Sequence, residues 1–457
     1  MNKILTTMAL LYIIIQCSCN KMIEIPLSKN QVESPVVFTD STTATSALLG
    51  IYFSLGTPSN ASYIYFKNLG LYADELMYTS TSPVMLQFAE GQLLSDNSQN
   101  ASLWNSLYSV VYQCNAFMEG IESSGQLQNG TKPVLTAEAR FLRAYAYHYL
   151  LSLYENVPLI LTTDVNANKM AKQADKKLVE EQMIADLTIA KASLGTAYKG
   201  TGRVRANSLA ASALLARIYL YQGRWREAEL ESSRLIDIDL YRPLPKLEDV
   251  FVSTSKEAIL QFWTPNGFVA DATSLIPSSN TSLPQFAITE NLFNAFDNTD
   301  ARKTKWITIS NVTASGITRA YPYFSKYKNR TASTSKAEYV MALRLAEQYL
   351  IRAESLARQD KLSAAINDLN VVRTRAGLVE FPTSIDKETC LTSIAKERRL
   401  ELFGEWGHRL LDLKRSGAID VVMPTAKPGW KPLISQKLPI PFNETIYNSN
   451  LIQHEGY

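Results

Sequence analysis

The stretch Gly202–Glu229 reads GRVRANSLAASALLARIYLYQGRWREAE, and Leu343–Arg373 reads LRLAEQYLIRAESLARQDKLSAAINDLNVVR. In the first, Ala216, Tyr219, Gly223, Trp225 and Ala228 fall on the spacing of a tetratricopeptide helix pair. In such a pair small residues let two antiparallel helices approach, while an aromatic fills the space beside them. In the second, Ala346, Tyr349, Leu350, Ala353 and Leu356 share one helix face, and Leu362, Ala365, Ile366 and Leu369 share the face of its partner. Ala353 and Ala365 stand as far apart as Ala216 and Ala228. Two such matches, distant in the chain, predict helical hairpins packed into one domain despite the insertion between them. Arg140–Tyr154, RFLRAYAYHYLLSLY, is apolar nearly all round, which places that helix at the centre of the array. The fold class is mainly α, with tetratricopeptide-like hairpins forming one scaffold.

The insertion, residues 240–336, differs in composition. It is rich in Ser, Thr, Asn and Pro, carries a strand pattern at Ala258–Trp263 and shows no long helical period, so it reads as loops and short strands. A second irregular stretch, 423–457, carries Pro424, Pro428, Pro432, Pro439 and Pro441, which are expected to exclude a helix there. Long ordered loops on a helical scaffold are where binding usually resides.

At the other end, Met1–Ser18 holds one basic residue, Lys3, and an apolar run from Met8 to Ile15, too short to span a bilayer but right for a signal-peptide core. A cysteine directly after such a core and a small residue predicts a bacterial lipoprotein site, with Cys19 as the lipidated first residue and Cys17 as a rival. Residues 1–18 are then a signal peptide, 19–35 an anchor and leash, and 36–457 one folded domain, held to a membrane by lipid. Cys114 and Cys390 lie inside apolar helical patterns and read as buried and unpaired, or as a single disulfide.

Composition narrows the function. With 46% hydrophobic residues in 457, a large core is available, and a net charge of +3 is far from what a phosphate-binding surface needs, so nucleic acid is not expected as a partner. Three His and four Cys leave few soft ligands, so neither a metal nor a cofactor is expected. The local signatures of common hydrolases, zinc proteases and nucleotide sites are absent. A glycosidase needs only two suitably separated acids, which no spacing rule reveals; the adjacent Asp74 and Glu75 diverge, making a poor acid and base pair but serviceable binding groups for hydroxyls. Lys396–Arg415, KERRLELFGEWGHRLLDLKR, could use Arg398, Arg399 and Arg409 as an anion site, but reads better as helices laced by ion pairs such as Glu405 with Arg409. His148 and His408 read as core or capping residues.

Aromatics are the remaining signal, at 10% of residues with 23 Tyr and 6 Trp. Aromatic rings cover the apolar faces of sugars at little conformational cost. Trp104 and Trp225, on helices, are expected in the core. Tyr63, Tyr65, Tyr72, Tyr78, Trp263, Phe268, Trp306, Tyr321 and Tyr323 fall in irregular segments, with Asp74, Asn266 and Asp271 nearby in sequence. Together they form a candidate site for a polyhydroxylated ligand.

Ile23–Tyr52, Leu142–Ile160, the two hairpin stretches, Lys396–Arg415 and the ending LPIPFNETIYNSNLIQHEGY together resemble the SusD/RagB family of Bacteroidetes outer-membrane lipoproteins, in the right order over essentially the whole mature chain. The resemblance implies about four hairpins facing a SusC-like TonB-dependent transporter, a ligand site built from variable loops, and a non-enzymatic, surface-exposed role in oligosaccharide uptake. It also implies that Leu71–Leu76, LYADEL, lies near the site, which raises Asp74 above the other acids. A peptide-binding role, as in the RagB branch, is the alternative within the family, and a surface glycoside hydrolase the alternative outside it.

Overall fold

The computed structural model describes residues 37–56 and 61–457. The chain opens with α1 (Ser41–Gly56) and α2 (Ala61–Tyr72), a short strand β1 (Leu76–Tyr78) and α3 (Pro83–Glu90), followed by the two longest helices, α4 (Ser98–Ser123) and α5 (Thr131–Tyr154). After the single turn α6 (Val165–Asn168) come α7 (Lys176–Ser193), α8 (Ser208–Tyr221) and α9 (Trp225–Ile236). Next are β2 (Ala258–Phe262), α10 (Ala270–Leu275), β3 (Phe286–Ile288), α11 (Glu290–Ala295), α12 (Arg302–Lys305), β4 (Ile307–Ala314), β5 (Ile317–Phe324) and β6 (Val340–Arg344). The scaffold resumes with α13 (Leu345–Arg358), α14 (Leu362–Arg375), α15 (Lys387–Leu402), α16 (His408–Arg415), α17 (Ile419–Ala426) and α18 (Phe442–Tyr447).

Helices α4, α5, α7, α8, α9, α13, α14 and α15 pack in that order, each on the next, so the insertion is looped out of a continuous helical array. The two hairpins foreseen from the alanine spacing, α8/α9 and α13/α14, share one turn geometry. Gly223 sits at φ +69° and its counterpart Asp360 at φ +63°. Behind them Arg224 N–H donates to the Tyr219 carbonyl at 2.9 Å, and Lys361 N–H to the equivalent Leu356 carbonyl at 3.0 Å. This left-handed cap satisfies the last carbonyls of the first helix and reverses the chain within two residues. Helix starts are capped by short polar side chains, as where Asn97 accepts from the N–H groups of Gln99 and Asn100, and Asn207 from that of Ala210. From Phe141 to Leu151 every residue of α5 is buried, as the all-round apolar pattern required.

The strands form three separate antiparallel pairs, β1 with β3, β2 with β6 and β4 with β5. β2 and β6 are buried along their whole length, and their ladder is bolted to the scaffold by charge. Arg344, at the end of β6, contacts Glu257 at 2.8 Å, Glu401 at 2.5 Å and Glu405 at 2.8 Å. Lys326 meets Glu405 at 2.6 Å, Arg302 meets Asp300 and Glu397, and Arg375 joins Glu257 to Glu401. A second buried pair, Arg217 with Glu347 at 2.6 Å, ties α8 to α13. Buried charges persist only where each has its counter-charge, so these residues must arrive together.

Two local expectations are corrected. Prolines do not exclude helices from 423–457: Pro424 lies inside α17, and Pro441 stands as the cap before α18, where its fixed φ is tolerated. Arg409 does not pair with Glu405, whose carboxylate is occupied by Arg344 and Lys326. Cys114 and Cys390 are buried free thiols. His148 and His408 are buried, and burial holds both imidazoles well below their ordinary pKa. Among the described residues no helix is long and apolar enough to cross a membrane.

Candidate functional site

Asp74 and Glu75 follow α2 at the point where the chain becomes extended. Thr289 holds them there, its hydroxyl donating to the Asp74 carbonyl at 2.7 Å and its N–H to the Glu75 carbonyl at 3.0 Å, so the β1–β3 ladder starts at this joint. The Asp74 side chain turns inward. Arg409 donates to Oδ1 from Nε at 2.7 Å and to Oδ2 from Nη2 at 2.8 Å, and Arg399 Nη2 donates to Oδ2 at 2.9 Å. Burial pushes the carboxyl up, but the Arg409 hydrogen bond and the charges of Arg399 and Arg409 outweigh it and hold it below its ordinary value. Asp74, a ligand candidate by sequence, is 5% exposed and has both oxygens engaged by these arginines. Charged partners so distant in sequence gave no local signal.

Glu75 diverges from Asp74, as adjacent side chains must. Its Oε2 accepts from the Gly404 N–H at 3.2 Å while Oε1 has no partner among the described residues. Burial, reinforced by the charge of Asp74, pushes this carboxyl up to about 7.

The aromatics divide into two groups. Tyr72 and Trp306 are core residues, nearly sealed from solvent, their polar atoms satisfied by the carbonyls of Ser435 and Leu247. Trp104 is buried and Trp225 half-buried under Arg358. Tyr323 is buried too, its hydroxyl donating to Asn280 Oδ1 at 3.1 Å, so of the two β5 tyrosines only Tyr321 keeps an accessible face. Hydrophobic period alone could not separate Tyr72, Trp306 and Tyr323 from surface rings, because they stand at the ends of helices or on a short strand.

At the surface the structure places two aromatic patches. Trp263 is 45% exposed and lies beside Phe53, 40% exposed, with ring centroids 5.9 Å apart. The pair is rigidly mounted: the Thr264 hydroxyl donates to the Glu338 carbonyl at 3.0 Å, and a Cβ at Gly56 would come within 2.9 Å of the Trp263 carbonyl oxygen, so α1 can end there only with glycine. Phe268, half-buried, follows on the same segment. In the second, half-buried Tyr78 lies 5.5 Å from the buried ring of Phe286 across the β1–β3 ladder, and its hydroxyl accepts from Gln285 Nε2 at 3.3 Å. β3 in turn packs on β5, which carries Tyr321 opposite Ser310. The side chains of Tyr63, Tyr65, Asn266 and Asp271 lie outside the described residues, as do Cys19 and the rest of 1–36. Phe53 was not foreseen. It stands off the buried stripe of α1, formed by Ala44, Leu48, Ile51, Tyr52 and Leu55, and a large aromatic off that stripe is the signal that could have found it.

Comparisons with known proteins agree with this architecture. A family described as starch-binding, associating with the outer membrane, matches residues 34–220, and the SusD family matches 289–457. SusD-like protein P25 of Formosa agariphila is 23% identical over 415 residues, covering 77% of this chain and 78% of that protein. A laminarin-binding SusD-like protein superposes with a TM-score of 0.79 at 23% identity, covering 92% of this chain and all of that one. A SusD homologue from Bacteroides thetaiotaomicron gives 0.80 at 18% identity, over 94% of this chain and 99% of the other. With family matches over 34–220 and 289–457 and the same fold across nearly its whole length, this chain belongs to the SusD/RagB family.

Proposed function

We propose that the protein is a non-catalytic, cell-surface glycan-binding lipoprotein that captures oligosaccharides on its exposed aromatic face and delivers them to a SusC-like TonB-dependent transporter in the outer membrane. The observation that carries the reading is the Trp263–Phe53 pair, two large rings held in solvent by a fixed backbone. Such exposure is unfavourable unless something covers it, and stacked rings suit the apolar faces of sugars. Polar neighbours for hydroxyls are near the second patch, in Gln285 and the Tyr78 hydroxyl. Fold similarity to a laminarin-binding protein and the family's starch-binding description support a glycan over other ligands. Lipid attachment at Cys19, single-domain organisation of 36–457 and transporter docking belong to the same proposal, resting on the family and on the N-terminal sequence.

Calorimetry against laminarin fragments and a broad oligosaccharide set tests it. Trp263→Ala and Phe53→Ala should each lower affinity about tenfold, about 1.4 kcal/mol, while the variants still fold, because both rings lie at the surface and not in the core. Binding of peptides in place of any glycan overturns the ligand class, and release of shortened glycan on incubation overturns the non-catalytic reading.

A further inference from the structure

The exposed Trp263 ring does not stand alone on its strand. β2 and β6 pair with Phe262 opposite Val340, so the next position of the antiparallel register sets Tyr339 across from Trp263. Tyr339 is half-buried, and its ring lies over Gly202, where a Cβ would come within 3.0 Å of Cε2. The segment before Tyr339 is laid directly on the residues after Trp263. The Thr264 hydroxyl donates to the Glu338 carbonyl at 3.0 Å, and Glu338 N–H donates to the Gly267 carbonyl at 3.0 Å. Asn329 Nδ2 bridges the carbonyls of Gly267 and Lys336 at 3.2 and 2.7 Å. Gly267, at φ +67°, lets this contact close, since a Cβ there would lie 2.3 Å from the Ser333 carbonyl oxygen.

The free charge beside this platform has one sign. From Lys328 to Ala337 the chain carries Lys328, Arg330 and Lys336 and no acid. Lys328 turns away, its ammonium donating to the Lys305 carbonyl at 2.7 Å. Arg330 and Lys336 are exposed and have no carboxylate within ion-pair distance among the described residues. The described acids at hand are occupied. Glu338 is 3% exposed and accepts from the N–H groups of Lys328 and Asn329 at 2.8 and 2.9 Å; Glu138, beneath α1, is sealed and paired with Arg205 and Lys199. α1 itself, which supplies Phe53, contains no charged residue.

We propose that the ligand of the Trp263–Phe53 face is an anionic oligosaccharide, with a sugar ring stacked on Trp263 and its carboxylate or sulfate groups held by Arg330 and Lys336. This rests on the glycan reading of that face. Both anionic groups present neighbouring oxygens that a guanidinium grips in pairs, and an ammonium meets either as a point charge. Cations on an exposed rim act over roughly a Debye length, about 10 Å at about 0.1 M salt, so they speed encounter and make affinity depend on salt. A neutral glycan gains from the rings alone.

Calorimetry on the mature chain, at low and at high sodium chloride, compares oligogalacturonides, which carry carboxylates, iota-carrageenan oligosaccharides, which carry sulfates, and neutral laminarin fragments. At low salt one anionic set should bind about tenfold more tightly than laminarin fragments, and high salt should remove most of that margin; the set that binds names the anionic group. Arg330→Gln combined with Lys336→Gln should lower the anionic affinity about fivefold and flatten its salt dependence, which loss of loop packing alone would not do. Trp263→Ala should weaken the same binding at both salt concentrations. Laminarin fragments binding as tightly as both anionic sets, or an unchanged salt dependence in the double variant, overturns the anionic assignment and leaves the glycan reading standing. No heat from any oligosaccharide overturns the glycan reading itself, and the anionic assignment with it.

Discussion

Replacing Asp74 by alanine separates two roles for the most prominent acid of the sequence. In the structure its carboxylate compensates Arg399 and Arg409, whose side chains are only 14% and 15% exposed. Breaking a buried pair by removing one partner costs about 3–5 kcal/mol, and the slight exposure of both arginines argues for the lower end, about 3 kcal/mol. With an unfolding entropy of about 2.1 cal/mol/K per residue, a chain of this length has about 1.0 kcal/mol/K in total, so the loss lowers the thermal midpoint by about 3 °C. Differential scanning calorimetry of the wild type and Asp74→Ala reads this directly, and Arg409→Ala in the same background should then cost less than it does alone. Oligosaccharide affinity, measured in parallel, should change little while the variant is folded. A midpoint unmoved within 1 °C, or affinity lost at full stability, would refute the structural role and return Asp74 to the ligand.

Two further outcomes follow from neighbouring groups. Glu75 titrates near 7 in the folded chain against an ordinary 4.5; its folded pKa is raised, so the native state binds the extra proton between those values and stability falls as pH rises from about 4.5 to 7. Glu75→Gln removes that penalty, and should raise the midpoint by about 3 °C at pH 8, equivalent to about 3 kcal/mol, but by less than about 1 °C at pH 5; equal gains at both pH values would contradict it. Arg344→Ala leaves Glu257, Glu401 and Glu405 short of their shared cation, and should destabilise by more than about 4 kcal/mol, seen as a lower denaturant midpoint with an unchanged slope. A loss under about 1 kcal/mol would mean that Lys326, Arg302 and Arg375 suffice without it.

What could be read without coordinates follows from the range of each interaction. The α8/α9 and α13/α14 hairpins were legible because helix period, small-residue contacts and the turn at Gly223 and Asp360 are all set by neighbours a few positions apart. The strand at Ala258–Phe262 showed itself by a short apolar run, and the central burial of α5 by having no polar face. Prolines misled in 423–457, because Pro424 is accommodated inside a helix and Pro441 at a helix start.

The site divides along the same line. Sequence by itself determined the scaffold, the loop-rich insertion and an excess of aromatic residues, all properties of local pattern and composition. Tertiary structure alone decided that Tyr72, Trp306 and Tyr323 are core while Trp263 stands out with Phe53, since exposure depends on what the rest of the chain lays over a ring. It decided also that Asp74 answers Arg399 and Arg409 and that Glu405 answers Arg344. Charge pairing acts through space, across loops whose course no local periodicity records, and so the partners of a buried ion are known only once the chain has folded around it.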